Sequence, residues 1–531
     1  MEELNNIADS FKNKCILVTG STGFLAKCMY LHIYIYIYIH SFFSCKLCLL
    51  CCFSLLLFSD DLTFLVLVEV FVEKVLRVQP EVKKLYLLLR ATDAKTVTQR
   101  FRSEVTGKEL FRVLKEKHGK GFDSFIAEKV SLVAGDISCV NLGIEETNLV
   151  ETMWKEVDII VNSAATTNFY ERYDVAMGIN VLGAKHVLDF AKKCAKLEIL
   201  LHVSTAYVAG EKAGVILEKP FQMGETLNEA SGLDVDAELR LVEERLKELR
   251  TDDVEPHLER TSMKQLGLQR ARHFGWPNTY VFTKALGEMV LSHHRAGLPL
   301  VILRPTMITS TLQEPFPGWM EGTRTIDTLI IGYAKEQLTC FLGDLELIMD
   351  IVPGDMVANA MMAVAVAHGN HQTETVYHVG TSVSNPVNYA VLLDCGFRYF
   401  TENPRVRKDG RQLETHRIPV YSDITSFHRY MILRYRLPLE ALRVTNAALC
   451  RLFQGTYDDL SRKYKFVMHL VDLYKPYAFF KGCFDDLNLE RLRRAVAEEE
   501  KAKFCFDPRR IDWEDYLANV HIPGVLKCMR K

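Results

Sequence analysis

The feature that most constrains this chain is a buried strand running directly into a glycine turn. Cys15-Ile-Leu-Val18 is an uninterrupted apolar run, and Thr19-Gly20-Ser21-Thr22-Gly23-Phe24-Leu25-Ala26 continues it without a break. Glycines at such a junction permit a tight turn and let backbone N–H groups approach a pyrophosphate at a helix N-terminus. Small-residue turns after strands are common, so the junction gains meaning only from the segments downstream of it. Val70-Phe-Val-Glu-Lys-Val-Leu-Arg77 has helical amphipathic spacing, and Leu85-Tyr-Leu-Leu-Leu89 is a second buried strand ending at Arg90. Gly20 lies 70 positions before Arg90, and setting aside the 42 residues from Cys28 to Glu69 leaves 28. That is close to the ~30-residue strand-helix-strand unit that binds dinucleotides.

The interval 28–69 reads unlike the rest. Ile33 to Ile39 alternates Ile with Tyr, and Ser41 to Ser59 is almost entirely Phe, Leu, Cys and Ser. A membrane anchor is one account, but the uncharged run from Leu47 to Ser59 falls short of the ~20 residues a spanning helix needs. A metal site is another, but Cys45, Cys48 and Cys51 lack a second ligand pair at finger-like spacing. The third is translated non-coding sequence: an AT repeat encodes Ile-Tyr, and a pyrimidine tract encodes Phe, Leu and Ser, as at the end of a retained intron. The composition fits this last account best.

At 531 residues the chain has room for two to three domains, and 48% apolar with 25% charged residues is a globular composition. A net charge of -2 gives no electrostatic case for nucleic acid. The 14 cysteines follow no framework spacing, which points to a reducing compartment. Met1 to Lys14 is mixed polar, so no signal or transit peptide is expected. Strand-like runs recur at Val130–Val133, Val157–Val161, Ile199–Val203, Leu300–Leu303 and Thr375–Val379. This is the spacing of an alternating α/β chain, so the fold expected is a Rossmann-type, doubly wound parallel sheet. Arg90 sits where such a fold selects its ribose partner, and an arginine there can pair a 2′-phosphate, which favours NADPH over NADH.

The chemistry is carried by two further segments. Pro277-Asn-Thr-Tyr280-Val-Phe-Thr-Lys284 opens a helical pattern reaching about His293, and Tyr280 and Lys284 share one face at i, i+4. A phenol with pKa ~10 is a poor acid–base group at neutral pH. A neighbouring ammonium favours its phenolate, which is why both residues are needed at that spacing. Upstream, Leu201-His-Val-Ser204-Thr205 places hydroxyls just past a strand end, where open α/β sheets keep their ligands. Each signal is weak alone; glycine loop, Ser-Thr strand end and Tyr-Lys helix in this order are not.

With these residues in view, the chain resembles the extended short-chain dehydrogenase/reductase superfamily. More narrowly, it resembles the alcohol-forming fatty acyl-CoA reductases of the plant, male-sterility-protein type. Val18–Lys27, Lys84–Arg90, Gly135-Asp136, Asn162–Ala165, His202–Tyr207 and Tyr280–Lys284 carry the likeness. So do Leu303–Pro305, Pro317–Trp319, Asp350–Pro353, Tyr474–Phe480, Phe506–Pro508 and Ile511–Tyr516. The resemblance implies a Rossmann catalytic domain over 1–27 and 70–400 and a smaller, mainly α-helical C-terminal domain over 425–531. It implies that Tyr280 and Lys284 are the catalytic pair, with Thr205, and Ser204 beside it, at the hydroxyl position. Thr19, Gly20, Ser21, Thr22, Gly23, Phe24 and Leu25 match the pyrophosphate loop, Arg90 the 2′-phosphate contact, and Asp136 the adenine-side acid. Asn162, Ala164 and Ala165 match the cofactor-lining strand.

The implied reaction is reduction of a long-chain acyl-CoA to alcohol by two hydride transfers from NADPH, without metal or cysteine nucleophile. The implied setting is the cytosolic face of the endoplasmic reticulum, with the cytoplasm as alternative and peripheral membrane association. The C-terminal runs Leu442–Phe453 and Phe466–Phe480 are candidates to shield the acyl chain, and Asp234–Glu248 reads as a solvated helical excursion. Two alternatives stay open: a sugar-nucleotide epimerase or similar extended reductase, and an inactive product whose phosphate-binding helix is broken by the interval 28–69.

Overall fold

The computed structural model describes residues 3–20 and 63–530, apart from residues 92, 253, 323–324, 336–337, 370, 407–409 and 411. Ser21, Thr22, Gly23, Phe24 and Leu25 lie outside the described residues, as does 28–62 of the anomalous interval.

Seven strands form one sheet: β1 (Cys15–Thr19), β2 (Lys84–Leu89), β3 (Val130–Ala134), β4 (Ile159–Asn162), β5 (Ile199–Val203), β6 (Leu300–Pro305) and β7 (Glu374–Val379). Their order is β7-β6-β5-β4-β1-β2-β3, and every pairing is parallel. A parallel sheet is covered on both faces, so its strands are near-continuous apolar runs. All five positions of β1 and of β5 are buried. The order reverses between β1 and β4, and such a switch point opens a crevice at the strands' carboxyl ends.

Helix α1 (Thr63–Val78) connects back to β2 and packs against the helix Gly354–His368. It begins inside the interval set apart on composition. Leu67, Phe71 and Val75 form one fully buried stripe at i, i+4, i+8, and Glu69 is fully buried and paired to Lys108 at 2.5 Å. Residues 67–69 are therefore part of the packed helix, ahead of the boundary drawn after Glu69. The cause is plain: the apolar stripe of the helix has the same composition as the anomalous run before it.

The C-terminal residues also differ from expectation in how they pack. Phe480, Phe484, Leu492, Tyr516 and Leu517 belong to the same apolar core as the sheet. The strand Gly482–Phe484 pairs in parallel with Gly214–Ile216, and Leu4 bridges Val496. The helices around Phe427, Met431, Val467 and Val471 form a satellite core of their own. The division at residue 425 is one of sequence, not of packing. The excursion at Asp234–Glu248 is helical (Val235–Thr251), yet its Glu238 is buried and accepts from Tyr173 Oη at 2.7 Å. Among the described residues no helix is long and apolar enough to cross a membrane.

Candidate active site

The crevice at the switch point is built from strand ends. Gly20 comes directly after β1 with φ +86°, and a Cβ there would lie 2.8 Å from both N and Cα of Ala164. Only glycine allows β1 and β4 to approach this closely with a left-handed backbone. Register places Thr19, Asn162 and His202 in one row across β1, β4 and β5. Their side chains bond along that row: Thr19 Oγ1 donates to Asn162 Oδ1 at 2.8 Å, and Asn162 Nδ2 lies 3.0 Å from His202 Nδ1. The Ala164 N–H donates to Thr19 Oγ1 at 3.2 Å. All three side chains are buried, so Thr19 and Asn162 tie strands together beneath the crevice floor.

At the far side of the crevice Arg90, just past β2, pairs with Asp136, just past β3, at 2.7 Å between Nε and Oδ2. Ser138 holds the other oxygen of Asp136 through its backbone N–H and its hydroxyl. The Arg90 side chain keeps 39% exposure, which leaves a cation at the open edge of the crevice. Ala165 is half-buried beside the end of β4.

Helix α2 (Thr279–His294) crosses the sheet next to β5. Asn278 caps it by accepting from the Val281 N–H, and Trp276 Nε1 donates to Val208 O at 2.8 Å, fixing where the helix enters. Every residue from Thr279 to Leu291 is buried. Lys284 Nζ lies 2.8 Å from Val203 O, to which it donates, and 3.2 Å from His202 Nε2. Burial pushes Lys284 down from 10.5 to about 7, with Glu288 one turn on pulling in the opposite sense. Burial, and then the Lys284 charge, hold His202 well below the usual histidine range. Glu288 is itself paired with Arg304 at 2.5 Å, both within the core.

Ser204 is fully buried at the end of β5, and its hydroxyl has no partner among the described residues; Ser163 at the end of β4 is alike. Thr205 Oγ1 accepts from the Tyr207 N–H and caps the short helix Ala206–Ala209. The Tyr280 ring stacks on Phe169 at 6.0 Å, and Phe169 stacks in turn on Tyr477 at 5.0 Å and meets Tyr474 at 5.1 Å. Both tyrosines belong to the helix Gln454–Ala478, and Tyr477 Oη accepts from Asn278 Nδ2 at 2.7 Å. The helix Gln454–Ala478 is thus fastened to the cap of α2. A cavity of about 110 Å³ is lined by Phe341, Leu470, Val471, Tyr474, Tyr477 and Ala478, among others.

These elements bring Tyr280, Lys284, Ser204 and Thr205 to one end of β5 and Gly20, Arg90 and Asp136 to the other side of the switch point. The crevice suits a dinucleotide: a glycine-only close approach, buried orphan hydroxyls at two strand ends, and a cation at its rim. No role is read from sequence for His202, Glu288 or Phe169, although a histidine within the apolar run Ile199–Val203 and a carboxylate one turn beyond Lys284 are visible signals.

Fold and site together define a reductase domain of the extended short-chain dehydrogenase/reductase class, with a nicotinamide dinucleotide as its cofactor. Residues 66–361 and 434–531 both match the male sterility protein family, the first match being to its NAD-binding part. The chain belongs to that family. It is 48% identical to the alcohol-forming fatty acyl-CoA reductase of Simmondsia chinensis, with 99% of each chain covered. It is 47% identical to fatty acyl-CoA reductase 1 of Arabidopsis thaliana, again with 99% of each covered. Among solved structures, the reductase domain of a nonribosomal peptide synthetase from Mycobacterium tuberculosis shares the fold. Its TM-score is 0.51 at 16% identity, with 98% of this chain and 92% of that one covered.

Proposed function

We propose that this chain reduces a long-chain fatty acyl-CoA to the primary alcohol with NADPH, by two successive reductions through the aldehyde. One observation carries the reading: Tyr280 and Lys284 lie on a buried helix against the Ser204–Thr205 end of β5, roofed by aromatic rings of the C-terminal helix. The names of the relatives support the substrate class. Bound NADPH supplies the hydride. The Tyr280 hydroxyl donates its proton to the oxygen that becomes an alkoxide, and the Ser204 and Thr205 hydroxyls hydrogen-bond the same oxygen. The Lys284 ammonium favours the tyrosinate left behind. After the first addition the hemithioacetal expels CoA, and the aldehyde meets the same groups in the second. The cavity beside Tyr474 and Tyr477 receives part of the acyl chain. Arg90 pairs the 2′-phosphate and favours NADPH over NADH.

The test is incubation of purified protein with stearoyl-CoA and NADPH, and then chromatography for alcohol. Tyr280→Phe should lose at least about a hundredfold in turnover. Full alcohol formation by that variant would overturn the assignment, and equal use of NADH would overturn the cofactor preference.

On the same reading the chain works at the cytosolic face of the endoplasmic reticulum. Leu433, Leu437 and Val444 are exposed along the helical residues 432–448 and Leu452 in the turn that follows, and residues 432–453 carry Arg434, Arg436, Arg443 and Arg451 against Glu440 alone. Such a stripe suits an anionic lipid surface. Flotation with vesicles containing phosphatidylserine should carry the protein upward, and Leu437→Glu with Val444→Glu should abolish it; flotation unchanged by the pair would refute this surface.

A further inference from the structure

The row Thr19–Asn162–His202 ends on the catalytic lysine, and its hydrogen bonds leave little freedom in where the protons lie. The Ala164 N–H donates to Thr19 Oγ1, so the hydroxyl proton goes to its other partner, Asn162 Oδ1. With its carbonyl pinned there, Asn162 turns its NH2 group toward His202 Nδ1 at 3.0 Å. An amide NH2 only donates, so Nδ1 accepts. The opposite amide orientation would strand the Thr19 hydroxyl proton in a fully buried position. The single proton of the neutral imidazole therefore sits on Nε2 and points at Lys284 Nζ, 3.2 Å away. An ammonium has no lone pair to receive it, whereas an amine has one.

We infer that His202 is a positioning residue that presents an N–H to Lys284 and thereby sets the pH at which the lysine becomes an ammonium. The inference rests on Lys284 acting with Tyr280 in the proposed reduction. The titratable groups placed near Lys284 by the helix and the sheet include three: Tyr280 lies one turn back and Glu288, ion-paired with Arg304 from β6, one turn on, and His202 comes from β5. Burial and Glu288 act on the lysine irrespective of the tautomer; the direction of the His202 N–H is what the row adds. It ties the lysine's charge to the strand end beside Gly20, so the cofactor side of the crevice and the proton-transfer side share one hydrogen-bonded row.

The first test needs no substrate. In the full chain with 15N-labelled histidine rings, the His202 signals are identified by their loss in His202→Gln or His202→Asn. They should report protonated Nε2 and unprotonated Nδ1 from about pH 6 to about pH 9. A protonated Nδ1 at pH 8 overturns the inference. The second test is turnover. The alkaline limb of kcat/KM for the cofactor should lie near pH 7 in the wild type. It should rise by about one unit in His202→Leu, and return to within about 0.3 unit in His202→Gln, whose amide can accept from Asn162 and still donate to Lys284. A limb unmoved in His202→Leu overturns the inference even if the rate falls, because a packing role lowers rate or stability without shifting the limb. Absence of alcohol from acyl-CoA would count against the substrate reading alone, since the ring nitrogens decide the role of His202 without it.

Discussion

Replacing Glu288 with glutamine perturbs stability and catalysis through a single buried pair. Glu288 is fully buried and Arg304 is 3% exposed. The guanidinium donates through Nε to both carboxylate oxygens at 3.1–3.2 Å and through Nη2 at 2.5 Å. Glutamine keeps one acceptor but leaves an uncompensated cation in the core. Breaking such a pair on one side costs about 3–5 kcal/mol, and the retained acceptor sets the expectation near 3. The second effect is on Lys284, where the Glu288 carboxylate favours the ammonium against burial. Without that charge the lysine loses its proton at still lower pH, so the alkaline limb of reduction moves down. Urea unfolding monitored by tryptophan fluorescence measures the first effect, and the pH dependence of kcat/KM the second. Glu288→Asp keeps the charge and should restore the limb even where stability stays reduced. A Glu288→Gln protein within about 0.5 kcal/mol of wild type would refute the pairing argument. A limb that moved upward would refute the electrostatic one.

Lys284→Met should abolish alcohol formation and yet stabilise the fold. Because burial lowers the folded-state value from 10.5 to about 7, the unfolded chain binds more protons between these pH values, and wild-type stability rises with pH across that window. The gain from methionine is therefore largest below about pH 7 and fades above 10.5, so denaturation midpoints showing more gain at pH 10 than at pH 6 would contradict it. Gly20→Ala puts a side chain at φ +86° and within 2.9 Å of three backbone atoms of Ser163 and Ala164. The left-handed conformation alone costs about 1–2 kcal/mol. The Kd for NADPH, from fluorescence titration, should rise at least about tenfold; an unchanged Kd would show that the close approach does not shape the cofactor site. Arg90→Ala should weaken NADPH by about tenfold or more and leave NADH within about twofold. Equal weakening of both would assign Arg90 to holding Asp136 instead.

Legibility in the sequence depends on the range of the interaction. The seven strands are readable because a parallel strand buried on both faces is an unbroken apolar run, and Ile199–Val203 matches its observed bounds residue for residue. Helix α2 is readable because Tyr280 and Lys284 are one turn apart and Asn278 caps them locally. By contrast, Glu69 falls on the wrong side of a boundary because the buried stripe of α1 has the same composition as the run before it. The sharing of one core by the C-terminal residues is hidden because Phe484 and Tyr207 meet only through tertiary packing.

The least legible feature is the row that reaches Lys284 from the sheet. Thr19, Asn162 and His202 are separated by 143 and 40 positions along the chain, and only the order and register of β1, β4 and β5 make them neighbours. Local spacing places a lysine beside a tyrosine; it does not say whether that lysine is charged. The charge depends on what the sheet presents from below, and a parallel sheet presents side chains from strands distant in sequence. The groups proposed to react are thus read from one helix, whereas the N–H that the row adds to burial and Glu288 comes from residues that only the folded sheet assembles.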